Sequence, residues 1–237
     1  MKYLATGLLW LVFAVFAPFE VLIGVLLFLV SAPFDRDRRL MHAFVCRWTH
    51  LYIRFLPTWR VRVEGRERIP HGACVLVANH QSMADVLAVM ALYRQFKFVS
   101  KASLFKLPLV GWMMRLSRYV ALVRGKTRST HKMMEDCRMW LHRGMPVLIF
   151  PEGTYSTGGK LLPFKRGAFQ LAVEEKVPVV PVVLRGTTGL MEGDGPWVNP
   201  RCDIRVTVLP QVSPAPFGED VEALSAAVRA QFEKELA

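Results

Sequence analysis

Acidic residues are scarce in this 237-residue chain: 19 Asp and Glu stand against 31 Lys and Arg, for a formal charge of +12. From Val86 to Met134 there is no acid at all, while Arg94, Lys97, Lys101, Lys106, Arg115, Arg118, Arg124, Lys126, Arg128 and Lys132 all fall there. The imbalance predicts an anionic partner. An anionic lipid headgroup, an acidic carrier protein or a phosphorylated substrate would each use such a surface. No nucleic-acid recognition motif accompanies the charge, so nucleic acid is not expected as a partner. Cysteine is also rare. Cys46, Cys74, Cys137 and Cys202 show no Cys-x-x-Cys spacing, which argues against a disulfide framework and for buried free thiols in a reducing compartment. The six histidines form no His-Glu-x-x-His pattern and no Cys/His cluster, so no metal is expected. A Gly-x-Ser-x-Gly nucleophile elbow is missing as well.

What the chain has in excess is apolar sequence, 52% of its residues with a mean hydropathy of +0.27, concentrated at the N-terminus. Between Lys2 and Asp35 the one charged residue is Glu20. A signal peptide fits poorly, because the leading region has one Lys and no small-residue cleavage site. A single helix from Tyr3 to Ser31 would be about 43 Å long against a hydrocarbon core of about 30 Å. It would also place Glu20 near the middle of the membrane, at a cost of roughly 2.5–3.5 kcal/mol. The Pro18-Phe19-Glu20 sequence therefore predicts a break, with shorter helices over Tyr3–Ala17 and Val21–Val30 forming a re-entrant or interfacial hairpin; a single tilted span is the alternative. Arg36, Arg38 and Arg39 follow, which puts the remainder on the cytoplasmic side. Leu40–Leu56 reads as an amphipathic helix, with Phe44, Trp48, Leu51 and Phe55 on one face, lying in the headgroup layer or packed on the domain.

After Pro57 the pattern changes to short apolar runs alternating with helical segments. Strands are predicted over Arg60–Glu64, Ala73–Ala78, Phe96–Ser100, Tyr119–Leu122, Val147–Phe150, Val179–Leu184 and Asp203–Leu209. Helices are predicted over Met83–Arg94, Leu107–Leu116, Ser129–Arg143, Arg166–Glu175 and Val221–Leu236. The interleaving implies one α/β domain, residues 58–237, behind membrane-associated helices at 1–57.

Two turns carry the chemistry. Asn79-His80-Gln81-Ser82-Met83-Ala84-Asp85 follows the run Ala73–Ala78, and Phe150-Pro151-Glu152-Gly153-Thr154 follows Val147–Phe150. Both sit where a strand ends, the usual place for ligand contacts in an α/β sheet. Asp85, in the first turn of a helix, can fold back to fix the tautomer of His80, leaving the other ring nitrogen to take a proton. The alternative is a capping Asp and a structural His. With no nucleophile in a suitable turn, direct attack by a substrate hydroxyl deprotonated by His80 is the simplest chemistry.

The first turn matches the Asn-His-x4-Asp motif of the glycerolipid acyltransferases and the second their Phe-Pro-Glu-Gly-Thr motif. Val99–Phe105 with Pro108 and Gly111-Trp112 resembles the segment before that family's second motif, Tyr119–Arg124 the second motif itself, and Val177–Val182 the fourth. Over about Arg60–Leu184 the chain resembles the lysophosphatidic acid acyltransferase branch. The resemblance implies a single mixed sheet covered by helices, an N-terminal membrane-associated helical hairpin, and a place on the cytoplasmic face of the inner membrane. It implies transfer of a fatty acyl group from acyl carrier protein or coenzyme A, as co-substrate and not as bound cofactor, to the hydroxyl of lysophosphatidic acid, giving phosphatidic acid. His80 is then the general base and Asp85 its orienting partner. Glu152, Gly153 and Thr154 position the acceptor, and Lys101 and Arg124 lie near its phosphate; Lys165, a further basic residue just before a helix, can add to that site. The chain departs from the family at Tyr155, where Arg is common, and a phenol cannot copy the guanidinium fork. Either Lys160, Lys165 or Arg166 compensates, or the acceptor is another lysophospholipid or a lyso-aminolipid. A hydrolase using the same His-Asp pair on water is the remaining enzymatic alternative.

Overall fold

An unbroken apolar run such as Val75–Ala78 is stable as a strand when both of its faces are covered. The computed structural model, which describes residues 2–54, 59–156, 160–190, 197–199 and 201–237, places that run inside a seven-stranded sheet. The strands are β1 (Trp59–Glu64), β2 (Val75–Ala78), β3 (Lys97–Lys101), β4 (Val120–Leu122), β5 (Val147–Ile149), β6 (Val179–Arg185) and β7 (Cys202–Val208). Their order is β1-β7-β6-β2-β5-β3-β4, parallel throughout except for the antiparallel β6–β7 pair. The sheet is therefore single and mixed, and each predicted strand segment contributes to it.

The helices are α1 (Lys2–Ser31), α2 (Arg39–Arg54), α3 (Asp85–Met90), α4 (Val110–Leu116), α5 (Thr127–His142), α6 (Gly167–Glu174) and α7 (Val221–Leu236). Alternation along the strands divides the core in two. Leu76, Ala78 and Leu148 pack with Ala5, Cys46, Ile53 and Ala88 from α1, α2 and α3. Val75, Val77 and Val147 face Met133, Trp140, Phe169 and Phe232 from α5, α6 and α7. The helix predicted over Met83–Arg94 is shorter than expected: from Ala91 the main chain tightens into three-residue turns (Ala91 N to Ala88 O, Leu92 N to Val89 O, Tyr93 N to Met90 O), and Tyr93 then adopts a left-handed φ of 49°. Phe55, Leu56 and the boundary drawn at Pro57 lie outside the described residues.

The N-terminus corrects one expectation. There is no break at Pro18: α1 is a single continuous helix with Pro18 inside it. Its partners explain why. Ala17 is buried, and Gly24 lets Met113 of α4 come so close that a Cβ there would lie 2.6 Å from Met113 Cε. Glu20, whose charge argued for a break, accepts a hydrogen bond from Tyr52 Oη of α2 at 3.0 Å. The hairpin that forms is α1 with α2. Asp35 caps α2, accepting from the amides of Arg39 (2.7 Å) and Leu40 (3.0 Å).

This helical pair is tied to the α/β domain by polar contacts. Lys97, expected among the surface cations, is fully buried at the start of β3. Its Nζ donates to Asp37 O (2.6 Å) and Ser117 O (2.8 Å) and lies 4.5 Å over the Trp140 ring. Burial pushes its pKa down to about 7. Asp37 also pairs with Arg143. At the other end of α1, Val198 N donates to Thr6 Oγ1 at 3.0 Å and the Tyr3 ring meets Trp197 edge-on at 5.1 Å.

Candidate active site

Because β2, β5, β3 and β4 run parallel, their carboxyl ends share one edge of the sheet, and the two motif turns emerge there side by side. Asn79 anchors the first turn. Its Nδ2 donates to Leu184 O (2.9 Å) and its Oδ1 accepts from Leu184 N (2.7 Å), extending the β2–β6 pairing by a side chain. That clamp was not foreseen; its one sequence signal is the Asn preceding His80.

The next residue is held from three directions. His80 Nδ1 lies 2.7 Å from Asp85 Oδ2. Its ring stacks on Phe150 of the second turn at 4.1 Å and 14°, and Tyr155 meets it edge-on at 5.4 Å. Asp85 is fully buried, and its Oδ2 also accepts from the amides of Gln81 (2.5 Å) and Ser82 (2.9 Å). A carboxylate can only accept, so Nδ1 carries the proton and Nε2 keeps its lone pair. Among the described residues nothing hydrogen-bonds Nε2. The geometry is that of an oriented imidazole whose second nitrogen has no hydrogen-bond partner among the described residues.

The second turn is tied to the first through main chain. Glu152 Oε1 accepts from His80 N (2.7 Å) and Oε2 from Leu162 N (2.8 Å). Burial raises the Glu152 pKa from its ordinary value, and these two amides act in the opposite direction. Ser156 N donates to His80 O at 2.9 Å, and Lys165 N to Pro151 O at 2.8 Å. Gly153 has φ +70°, and a Cβ on it would lie 2.5 Å from Lys165 Nζ, so the lysine side chain rests across the turn. Thr154 is exposed.

Lys101 ends β3 opposite Leu122 of β4, and Arg124 follows two residues later. Both are exposed, and neither has an ion-pair partner among the described residues. The structure thus brings Lys101, Arg124 and Lys165 to the same sheet edge as His80. Of the residues that could compensate for Tyr155, Arg166 pairs with Glu222 of α7 at 2.8 Å, with both side chains exposed, and Lys160 is exposed.

The acyltransferase family model matches residues 60–185, more than half of the chain. The chain belongs to the acyltransferase family. It is 34% identical over 212 residues to a chloroplastic 1-acyl-sn-glycerol-3-phosphate acyltransferase of Brassica napus, a match covering 86% of this chain and 61% of that protein. A 1-acyl-sn-glycerol-3-phosphate acyltransferase of Chlamydomonas reinhardtii is 42% identical over 174 residues, covering 69% of this chain and 51% of that protein. The chain thus spans between half and two thirds of the length of these curated relatives. The crystal structure of the 1-acyl-sn-glycerophosphate acyltransferase PlsC from Thermotoga maritima superposes with a TM-score of 0.80 at 28% identity, covering 99% of this chain and 94% of that one.

The thiols of this acyltransferase are poorly suited to act as nucleophiles. Cys46, Cys74, Cys137 and Cys202 are free and buried, and burial pushes the first three to about 12 and Cys202 to about 11. They stay protonated at neutral pH and are poor nucleophiles. His42, the other buried histidine, has both ring nitrogens engaged, with Tyr119 Oη (2.8 Å) and Arg94 O (2.9 Å). Burial lowers its pKa to about 4.

Proposed function

We propose that this acyltransferase moves a fatty acyl group from acyl carrier protein or coenzyme A to the free hydroxyl of lysophosphatidic acid, giving phosphatidic acid. The observation that carries the reading is the His80–Asp85 pair, with Nε2 unbonded among the described residues at the edge where three cations gather. Nε2 takes the hydroxyl proton as the acceptor oxygen attacks the thioester carbonyl, and Asp85 stabilises the imidazolium that forms. The tetrahedral intermediate collapses with cleavage of the C–S bond, and the departing sulfur recovers the proton from Nε2. Lys101, Arg124 and Lys165 receive the acceptor phosphate, while Gly153 and Thr154 shape the turn beside it. Glu152 acts by tying that turn to His80, because both of its oxygens are occupied by main-chain amides.

The same reading places the chain on a membrane, the cytoplasmic face of the inner membrane given the arginines at 36, 38 and 39. Leu4, Leu8, Leu11, Val15, Phe19, Leu22, Leu26 and Leu29 are exposed at helical spacing along one face of α1. Both ends of α1 rest on the domain, through Thr6 with Val198 and Gly24 beside Met113. A helix packed in this way lies in one leaflet with its stripe toward lipid, since crossing the bilayer would drag the domain into hydrocarbon.

Tyr155, edge-on to His80, favours a second reading in which the acceptor is another lysophospholipid or a lyso-aminolipid. One experiment weighs the two. Lys101→Ala and Arg124→Ala should each raise the KM for lysophosphatidic acid by about 10–100-fold, as expected for lost charge-assisted bonds to phosphate. Unchanged KM values in both variants, with turnover on a lyso-aminolipid, would replace the first reading by the second.

A further inference from the structure

Beyond the matched segment, α7 reaches back toward the active site through one side chain. Arg229 donates from Nη1 to Leu162 O (2.7 Å) and from Nη2 to Leu161 O (3.2 Å). Its Nε donates to Glu233 Oε1 at 2.8 Å, which fixes the guanidinium plane, and its Cζ lies 5.4 Å from the centroid of the Phe164 ring. Leu162 is thereby held on both sides: its carbonyl by Arg229, and its amide by Glu152, whose other oxygen takes His80 N. Three residues further on, Lys165 lays its Nζ across Gly153.

We infer that Arg229 is a positioning residue for the acceptor side of the site, holding the 161–165 segment so that Lys165 stays over the Glu152-Gly153 turn. The inference rests on the proposed role of Lys165 toward the acceptor headgroup. A fork that bridges two successive carbonyls does what a single ammonium cannot, because it fixes the orientation of the peptide as well as its distance. The chain of contacts reaches His80 only at its main-chain N–H, through Glu152, whereas Asp85 Oδ2, which orients the ring, is held by the Gln81 and Ser82 amides. Loss of the fork should therefore loosen acceptor binding and leave proton transfer in place.

The test compares Arg229→Ala and Arg229→Lys with wild type and with Lys234→Gln, an exposed change on the same helix that should leave activity unchanged. Acceptor KM, donor KM and kcat are measured with lysophosphatidic acid, and amide exchange is followed at Leu162 and Lys165. Both Arg229 variants should exchange these amides about tenfold faster and raise the acceptor KM about tenfold, with kcat and donor KM within about threefold of wild type. Arg229→Lys keeps the charge and the aliphatic stem over Phe164, so it reports on the fork even if the alanine variant folds poorly. Exchange unchanged in both variants would overturn the inference, because packing of Leu161 and Phe164 would then suffice. Faster exchange with no change in KM would overturn it too, as would full rescue by lysine. A wild-type protein inactive on lysophosphatidic acid would instead overturn the proposed acceptor, and the exchange data would still decide whether Arg229 holds the segment.

Discussion

Replacing His80 with alanine should lower kcat by about 10²–10⁴-fold, the range that a positioned general base supplies. The reasoning is geometric. Nδ1 is committed to Asp85 at 2.7 Å, and the buried thiols are held protonated, leaving Nε2 as the candidate proton acceptor at this edge. The fold should survive the change. Asp85 keeps the Gln81 and Ser82 amides, Asn79 keeps its clamp on Leu184, and Glu152 accepts from the main-chain N–H of residue 80, which alanine retains. The removed ring leaves a gap against Phe150, so stability should fall by about 1–3 kcal/mol, as for lost aromatic packing and burial. Steady-state kinetics beside a thermal melt checks both parts. A folded variant with kcat within a few-fold of wild type would mean that the base lies elsewhere.

Asp85→Asn is the second large effect, and it acts on both activity and stability. The carboxylate oxygen Oδ2 receives three N–H groups while fully buried. An amide offers one acceptor oxygen and brings an NH2 group that must point at donors or displace them. If it turns toward His80, it stabilises the tautomer protonated on Nε2, which cannot accept the hydroxyl proton; in either orientation it stabilises the imidazolium less. Activity should drop by about 10²–10⁴-fold, as when an orienting carboxylate is lost from such a pair. Stability should drop by about 1–3 kcal/mol as buried charge-assisted bonds weaken. The kcat and the melting temperature should fall together; a variant that lost stability yet kept kcat would reduce Asp85 to a helix-start cap.

The sheet was legible because Val75–Ala78 and Val147–Ile149 are apolar without interruption, a pattern that short segments between turns satisfy as strands covered on both faces. His80 and Asp85 were legible because their spacing spans a strand end and a helix start, so their meeting follows from local geometry. Where the outcome depended on distant chain, the sequence was mute. Pro18 with Glu20 reads as a break, yet Tyr52 from α2 satisfies the carboxylate and Met113 fits against Gly24. Lys97 reads as one more exposed cation in a basic run, yet the carbonyls of Asp37 and Ser117 bring it inside. The position of Glu152 at a ligand-facing turn was readable, but the direction of its carboxylate was not. That direction is set by Leu162, ten residues along, and by His80 from another strand end.

In the proposed reaction a thioester acyl group passes directly to a lipid hydroxyl with His80 as base. It is tested most directly by following thiol release from acyl carrier protein and coenzyme A thioesters by the detergent-solubilised protein, with and without lysophosphatidic acid, while tracing the acyl group. Release should require the acceptor, with the acyl group recovered in phosphatidic acid and the signal lost in His80→Ala. Release without an acceptor, with the acyl group recovered as free fatty acid, would contradict it and make the protein a hydrolase.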